Sequence, residues 1–323
     1  MRVFRSLEDI SAGAFAEGSA VAIGKFDGIH LGHRALLDSI TEASIERGLE
    51  SVVFTFEHHP LRLLRPDICP VRLMSPEQRL DAIAEAGIST CVMVPFDEAL
   101  SLMSAEEFVE RVLVEKLCVE YLSLGADFRF GHESAGDAHL LERAGERFGF
   151  AVDVVPEVID PELGRVSTSR VREAILQGDV ANATRMLGRP PAVRGSVVHG
   201  DARGRELGFP TANLGAAPDG APIEGLIPAD GVYAGWAIVG GRRYEAAVSV
   251  GVNLTFELEG EPRVEAHLID FAGDLYGEQI EILFVERLRG MVAFAGIETL
   301  VERIREDVRE TRVILAGHDA GLG

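Results

Sequence analysis

A short apolar run followed by a glycine-rich turn constrains the fold of this chain more than any other stretch. Residues 21–23 predict a buried strand, Gly24 interrupts it, and from about Leu31 the apolar residues recur at helical spacing. The stretch therefore predicts a strand, a turn and the N-terminus of a helix. Backbone N–H groups and the positive end of the helix dipole meet at such a turn, which favours binding of an anion.

Three glycines and two histidines make this turn suited to phosphate. Gly24, Gly28 and Gly32 let the backbone approach a ligand without a Cβ in the way. His30 and His33 are three residues apart at the helix start, so both imidazoles can face one phosphate chain. A plain strand–helix turn with two surface histidines would have the same spacing, and the spacing alone does not decide between the two.

The first half of the chain alternates short apolar runs with helical patterns. Strands are predicted at 51–56, 91–94, 121–125 and 151–155, and helices at 76–87, 106–117 and 138–148. This alternation is typical of an α/β fold with a doubly wound parallel sheet, in which ligands bind beyond the carboxyl ends of the strands. We expect the turn that begins at Gly24 to lie at that edge.

The pattern changes after residues 187–191, whose two prolines cannot continue a helix. Short alternating runs without intervening helices follow at 193–198, 232–239, 242–250, 263–269 and 279–285. They predict a small antiparallel β-barrel, with a tight hairpin turn at Gly240 and Gly241 and a helix at 297–314 packed outside it. We therefore expect one domain at 1–186 and a second at 187–323.

Two further segments are candidates for phosphate binding. In residues 165–172, hydroxyls and arginines gather where Ser169 is expected to cap a helix, which describes an anion site or simply a capped helix with solvated arginines. In residues 200–213, three glycines give a pliable backbone, although no Walker sequence occurs. Thr211 and Asn213 are two apart in an extended segment and offer hard oxygens to Mg²⁺, while a polar turn is the alternative.

Charge and cysteine content exclude several classes of protein. The 52 Asp and Glu outnumber the 31 Lys and Arg, and the net charge is −21. A chain this acidic is expected to bind neither nucleic acid nor an anionic membrane, and must attract any anionic ligand through local charge. Three cysteines without a CxxC pair predict no disulfide framework and no zinc site. Without a signal-peptide pattern or a membrane-spanning apolar run, we expect a cytoplasmic protein.

Several motifs resemble one enzyme family. Residues 24–33, Gly-Lys-Phe-Asp-Gly-Ile-His-Leu-Gly-His, resemble the HxGH signature of nucleotidyltransferases in the form found in bacterial bifunctional riboflavin kinase/FAD synthetases. Residues 124–131 resemble that family's Gly-x-Asp-Phe-Arg-Phe-Gly loop. Residues 208–213, Gly-Phe-Pro-Thr-Ala-Asn, resemble its riboflavin kinase signature, and 231–233 and 264–270 match the same module, so that the resemblance covers nearly the whole chain.

The resemblance implies roles for individual residues. Nucleotide binding is implied for Gly24, Lys25, Phe26, Asp27, His30, His33, Ser167, Thr168, Arg170, Gly200, Gly204 and Gly208. Flavin binding is implied for Phe56, Asp127 and Phe128, and Mg²⁺ binding for Thr211 and Asn213. Catalytic roles are implied for His30, His33 and Glu265. The chain departs from the family at His58 and Leu254, where the family commonly has proline.

The implied function is synthesis of FAD in two steps. The barrel would phosphorylate riboflavin with MgATP to give FMN, and the N-terminal domain would join FMN to AMP from ATP, releasing pyrophosphate. The FMN phosphate is already anionic near neutral pH, because its second pKa is about 6, so its attack needs positioning more than a base. The alcohol of riboflavin is neutral and benefits from a carboxylate base, the role implied for Glu265.

Two other interpretations are open from the sequence. One is a nucleotidyltransferase for another phosphorylated metabolite, with a barrel that only binds flavin. The other is a flavin-binding or regulatory protein whose catalytic sites have decayed. The presence of His30, His33 and Glu265 counts against the decayed protein, and the Pro-Thr-Ala-Asn stretch at 210–213 counts against a purely binding barrel.

Overall fold

The structure is a computed structural model that describes residues 1–200, 204, 207–215, 222–251, 263–294 and 296–319. Leu254 and parts of the glycine-rich stretch 200–213 lie outside the described residues. The chain divides into two compact units, Met1–Ser167 and Thr168–Gly323. The functional boundary expected at 186/187 stays a prediction.

Six parallel strands form the sheet of the first unit, in the order β1-β4-β3-β2-β5-β6. Their bounds are Arg2–Phe4 (β1), Ser19–Ile23 (β2), Glu50–Phe56 (β3), Thr90–Val94 (β4), Val119–Gly125 (β5) and Ala151–Val155 (β6). The predicted parallel sheet is confirmed. A two-stranded ribbon of Ile159–Asp160 (β7) and Gly164–Arg165 (β8) follows it. The sequence did not predict β1 or this ribbon, because strands of two or three residues carry no readable periodicity.

Helices connect the strands of the first unit. They are Leu31–Arg47 (α1), Leu61–Leu64 (α2), Pro76–Glu85 (α3), Glu98–Leu102 (α4), Ala105–Glu107 (α5) and Ala138–Phe148 (α6). The chain continues from α5 as a π-helical segment, Phe108–Lys116, where the Leu117 N–H donates to the Val112 carbonyl. This segment fills the position of the helix predicted at 106–117, but with wider turns than an α-helix has.

The sheet has a hydrophobic core on each face. Val21 and Ile23 of β2 belong to one cluster, whereas Ala20 and Ala22 belong to another that includes Leu37 of α1. Successive strand residues point to opposite faces, so this division means that both faces of β2 are covered. The arrangement is the doubly wound one that the apolar, non-alternating strands predict.

The second unit contains a closed antiparallel barrel in the order β10-β13-β12-β11-β14-β9. Its strands are Ala192–Val198 (β9), Ala212–Gly215 (β10), Gly231–Val239 (β11), Arg242–Gly251 (β12), Arg263–Leu268 (β13) and Gln279–Arg289 (β14). The predicted barrel and hairpin are confirmed: Val239 pairs with Arg242, and Gly240 and Gly241 both have positive φ, as a type I′ turn requires. The four-residue β10 was expected only as an extended segment.

In the described part of the second unit, helices with defined bounds lie at Thr168–Leu176 (α7), Val180–Leu187 (α8) and Ile297–Asp319 (α9). Leu315 of α9 is fully buried in a cluster with Ala234 and Trp236 of β11, which confirms the predicted helix outside the barrel. Val180 of α8 is fully buried within the barrel's own core cluster. The prediction that Ser169 caps α7 is wrong, because Ser169 is exposed and already lies within that helix. Helix ends are commonly uncertain by one residue from sequence.

Candidate active sites

Three loops of the first unit leave neighbouring strands at the same edge of the sheet. β2 pairs with β3 on one side and with β5 on the other, all in parallel. The glycine-rich turn follows β2, residues 57–60 follow β3, and residues 126–130 follow β5. The edge therefore carries these candidate loops where the strand order reverses, the place where open parallel sheets bind ligands.

His30 and His33 form a stacked pair at the start of α1. The rings are 3.8 Å apart at an interplanar angle of 18°. His30 is also the N-cap of α1, and its Nδ1 accepts a hydrogen bond of 3.3 Å from the His33 backbone N–H. In neutral His30 the remaining hydrogen is therefore on Nε2. Gly32 makes room for the ring, since a Cβ there would lie 3.1 Å from His30 Cε1.

Both histidines are neutral near pH 7. Burial lowers the pKa of His30 to about 4, an effect that Asp127 only partly opposes. Burial holds the pKa of His33 well below its usual value, and the neighbouring His30 and Lys25 lower it further. The buried Nδ1 of His33 has no hydrogen-bond partner within the first unit, all of which the structure describes. A buried unpaired nitrogen is costly, which makes this pair a candidate site for a polar ligand.

A cavity of about 300 Å³ lies beside the glycine-rich turn. Its lining combines basic, acidic and apolar side chains: Lys25, Asp27, Phe56, Glu57, His58, His59, Pro60, Arg62, Cys69, Pro70, Arg72, Met74 and Arg79. Four of these side chains are Lys or Arg and two are carboxylates, so an anion meets locally favourable charge in a chain whose net charge is −21. Aromatic and apolar surface beside that charge suits a ligand that carries both a ring and a phosphate.

The structure places the other predicted residues of the turn in supporting positions. Phe26 is completely buried and packs on His33, with ring centroids 5.2 Å apart. Its side chain therefore supports the His33 ring, and its contact with a nucleotide stays a prediction. Asp27 lines the cavity, and its Oδ1 accepts hydrogen bonds from the backbone N–H groups of Leu73 at 2.8 Å and Met74 at 3.2 Å. Asp27 thus ties the segment before α3 to the turn.

Asp127 and Phe128, the residues after β5 that were predicted to bind flavin, lie in different environments. Asp127 forms an ion pair of 2.6 Å with Arg165, and both charges act on His30. Phe128 stacks on Phe130, with ring centroids 5.8 Å apart, and packs against the hydrophobic core instead of the cavity.

Ser167, Thr168 and Arg170 lie at the division between the two compact units. Ser167 is the last residue of the first unit, and Thr168 is the first residue of α7 in the second. Their implied contact with the nucleotide stays a prediction.

The barrel aligns three polar residues across neighbouring strands. Asn213 of β10 lies opposite Glu265 of β13, and Glu265 lies opposite Ser249 of β12. Their neighbours along the strands, such as Ala212 and Val264, are buried in the barrel core. Because side chains alternate along a strand, these three lie on the outer surface of the barrel, side by side.

Two glycines of the stretch 200–213 lie close to its later residues. A Cβ on Gly200 would lie 2.6 Å from the Asn213 side chain, so only glycine allows this approach. The Gly204 carbonyl accepts a hydrogen bond of 2.7 Å from the Phe209 N–H, and a Cβ on Gly204 would lie 2.4 Å from the Phe209 carbonyl oxygen. Gly208 has φ +85° with open space around it. Thr211 is half-buried beside Asn213.

An open groove of about 890 Å³ adjoins the same surface. Phe209, Phe294 and polar side chains of α9 line it. His267 anchors this region, because its Nδ1 is 2.8 Å from the Pro210 carbonyl oxygen and its ring contacts Phe209 edge to face at 5.4 Å. His267 is two residues from Glu265 on β13, on the same outer surface. Phe209 therefore belongs both to the groove and to the contacts around β13, the strand that carries Glu265.

No group of three or more His, Cys, Asp or Glu side chains that could hold a metal ion occurs among the described residues. A hydroxyl and an amide oxygen, as Thr211 and Asn213 offer, nonetheless fit Mg²⁺, which commonly binds a few protein oxygens together with substrate phosphates.

Several lining residues were not predicted from the sequence. Arg62, Arg72 and Arg79 line the cavity, and Phe294 lines the groove. The only available signal was the capping box Ser75–Gln78, which marks the start of α3.

The two halves of the chain match two family models. Residues 13–170 match FAD synthetase, and residues 187–315 match riboflavin kinase. Curated relatives named bifunctional riboflavin kinase/FMN adenylyltransferase match nearly end to end. The protein of Pseudomonas fluorescens is 36% identical over 299 residues, which cover 93% of this chain and 94% of the relative. The protein of Escherichia coli K12 is 35% identical over 309 residues, which cover 95% of this chain and 96% of the relative. The chain belongs to this bifunctional family.

A solved structure has the same fold over nearly the whole chain. It is named a macrolide-efflux protein from Streptococcus pneumoniae, and it matches with a TM-score of 0.83 and 33% identity over 96% of this chain and 98% of that one. The name of that protein is not evidence for efflux activity in this chain. In the part of this chain that the structure describes, no helix is both long enough and apolar enough to span a membrane. The family resemblance inferred from the motifs is confirmed by the two family models and the curated relatives.

Proposed function

We propose that residues 1–186 and residues 187–323 carry one step of FAD synthesis each. The chain is a riboflavin kinase and FMN adenylyltransferase, as its family is, and uses ATP in both steps. The observation that supports two separate sites is the distribution of the polar constellations. The His30–His33 pair lies in the unit Met1–Ser167, and the Asn213–Glu265 pair lies in the unit Thr168–Gly323.

Adenylyl transfer is assigned to the edge that carries His30 and His33. A phosphate oxygen of FMN attacks the α-phosphorus of ATP, a new P–O bond forms, and the bond to the β-phosphate breaks to release pyrophosphate. The helix N-terminus and the Nε2–H of His30 face negative charge that grows in this step, and no base is required. Bound phosphates also favour protonation of both imidazoles, which raises their low pKa values toward neutrality.

The flavin of this step is assigned to the cavity beside the turn. Phe56 supplies aromatic surface, and Lys25, Arg62 and Arg72 supply positive charge. Asp127 and Phe128, the other residues implied in flavin binding, lie on the loop after β5 at the same sheet edge. Their assignment is supported by that shared edge alone.

Riboflavin phosphorylation is assigned to the outer surface of the barrel. Glu265 accepts the proton of the primary alcohol of riboflavin while that oxygen forms a bond to the γ-phosphorus of ATP and ADP leaves. The groove edged by Phe209 and Phe294 is the proposed position of the flavin ring. Gly200, Gly204 and Gly208 lie in the stretch proposed to cover the phosphates. Thr211 and Asn213 would hold Mg²⁺, which neutralises phosphate charge when bound.

A direct assay tests this assignment. Purified protein is incubated with riboflavin, ATP and Mg²⁺, and the flavins are separated by chromatography. FMN and FAD together are expected, and FAD alone should appear when FMN replaces riboflavin. A protein that uses neither flavin would contradict the proposed function. A protein that binds flavin but transfers AMP only to another phosphorylated compound would support the alternative nucleotidyltransferase.

A further inference from the structure

One buried arginine joins the elements around the cavity of the first unit. Arg79 lies in α3, and only 6% of its surface is exposed. Its Nη1 donates a hydrogen bond of 2.9 Å to the Lys25 carbonyl, in the glycine-rich turn. Its Nη2 donates a hydrogen bond of 2.5 Å to the Glu57 carbonyl, directly after β3. A single guanidinium thus bridges two loops that belong to different strands.

The same two loops have further links to each other and to α3. The Thr55 hydroxyl of β3 donates to the Lys25 carbonyl at 3.1 Å. Asp27 of the turn accepts from the N–H groups of Leu73 and Met74, which precede α3. The glycine-rich turn, the loop after β3 and the helix α3 therefore form one hydrogen-bonded junction. Lys25, Asp27, Glu57, Met74 and Arg79 all line the cavity, so the junction is also part of its wall.

The end of the junction that carries Arg79 is held rigidly. Ser75 and Gln78 form a reciprocal capping box, with both hydrogen bonds at 3.0 Å. Ser75 is 2% exposed and Gln78 is 4% exposed, so the first turn of α3 is buried together with its polar groups. A fixed helix start and a planar, forked donor determine where the two carbonyls must lie.

Arg79 remains charged in this environment. Burial lowers the pKa of its guanidinium, while Asp27 raises it, and the reference value lies far above neutral pH. A buried charge requires satisfied hydrogen bonds, and the two carbonyls supply them. Lysine at this position would keep the charge but has one compact ammonium group in place of the fork, and it could not hold two separate carbonyls in the same geometry.

We propose that Arg79 is a positioning residue for FMN adenylylation, which sets the separation between the Lys25 and Glu57 backbones and thereby the width of the flavin-binding cavity. This inference rests on the proposed function of that cavity. Arg79 acts through the two loops and not on the reacting phosphates. Its loss should therefore weaken flavin binding more than it slows the chemical step at His30 and His33.

The test compares Arg79→Lys with the wild type and with Arg147→Lys, an exposed arginine of α6. FAD formation from FMN and ATP is measured, together with riboflavin phosphorylation in the same preparation. Arg79→Lys is expected to raise KM for FMN by about tenfold or more with kcat within about threefold, since small misplacements of a binding site have effects of this size. Riboflavin phosphorylation and the Arg147→Lys variant should be unchanged.

A purely structural role would give a different pattern. It would lower kcat through loss of folded protein, with KM for FMN unchanged and a lower Tm, and that result would overturn the proposal. A wild-type KM and kcat in Arg79→Lys would overturn it as well. If Arg79→Lys does not fold, Thr55→Val removes only the other donor to the Lys25 carbonyl. It must then raise KM for FMN by about threefold, and an unchanged KM would overturn the proposal. Absence of FAD formation in the wild type would instead contradict the proposed function.

Discussion

Asn213 lies directly opposite Glu265 on the neighbouring antiparallel strand of the barrel. Residues in that register have Cβ atoms about 5 Å apart. A carboxylate base and a metal-binding amide can therefore serve the same alcohol and the same phosphates. The sequence separates the two residues by 51 intervening positions, and only the strand pairing brings them together.

Glu265→Gln tests the proposed base. The amide keeps the shape of the side chain but cannot accept the proton, so riboflavin phosphorylation should fall on the order of 10²–10⁴-fold. FAD formation from supplied FMN should stay near the wild-type rate, because that step is assigned to the other unit. Steady-state assays with each flavin measure both rates. Normal phosphorylation in this variant would remove Glu265 from the reaction.

Asn213→Leu tests the proposed Mg²⁺ ligand. Leucine removes the amide oxygen at similar size, and kinase turnover should be lost even at high Mg²⁺. Asn213→Asp keeps an oxygen and is the matched control, with retained turnover and altered Mg²⁺ dependence. Titration of activity against Mg²⁺ gives the answer, with circular dichroism as the check on folding. An unchanged Mg²⁺ dependence in the leucine variant would exclude Asn213 from the site.

Fragments of the second unit test where the functional boundary lies. A fragment that begins at Leu187 should fold and phosphorylate riboflavin, since the two prolines that follow mark the expected junction. It lacks Val180, however, which is fully buried in the barrel core. A fragment that begins at Thr168 should therefore be more stable by about 1.5–3 kcal/mol in its free energy of unfolding.

Urea unfolding followed by the fluorescence of Trp236, the only tryptophan, measures this difference. Equal stabilities would mean that α7 and α8 do not support the barrel. An unfolded 187–323 fragment would place the boundary before α7.

The buried His30 predicts a loss of stability at acidic pH. Its pKa is about 4 in the folded chain and 6.5 in the reference state, so the unfolded chain binds the proton first. The free energy of unfolding should therefore fall as pH drops from 6.5 toward 4, by up to about 1.4 kcal/mol per pH unit.

His30→Asn is the matched control, because asparagine is also a good N-cap but does not titrate in this range. Urea unfolding between pH 7 and pH 4.5, followed by far-UV circular dichroism, should show a smaller pH dependence in this variant. An identical pH dependence in both proteins would mean that protonation of His30 does not cause the loss of stability at acidic pH.

The sequence predicted the elements with strong local signals and missed those without them. Strand β2, the glycine turn and α1 were predictable, because a buried run, glycines and helical spacing coincide within 30 residues. The strands β1, β7 and β8 could not be predicted, since two or three residues carry no periodicity. The π-helical segment was predicted as an ordinary helix because spacing of apolar residues does not distinguish the two.

The same holds for the site residues. His30 and His33 are close in sequence, and their pairing could be anticipated. The contacts of Arg79 could not be anticipated, because they depend on a helix that packs beside two loops from other strands. Phe26 was assigned to the nucleotide by its motif, yet its side chain is buried behind His33. A motif identifies a segment, but which of its side chains point toward a ligand depends on the packing behind it.

His33→Ala tests whether the two steps occur at independent sites, as we propose. The variant is given riboflavin, ATP and Mg²⁺, and the flavins are separated over time. We predict that FMN forms at nearly the wild-type rate and accumulates, while FAD formation is crippled, because the imidazole proposed to face the phosphate chain is gone. Loss of both FMN and FAD formation, with an intact fold by circular dichroism, would contradict independent sites and indicate a single shared nucleotide site.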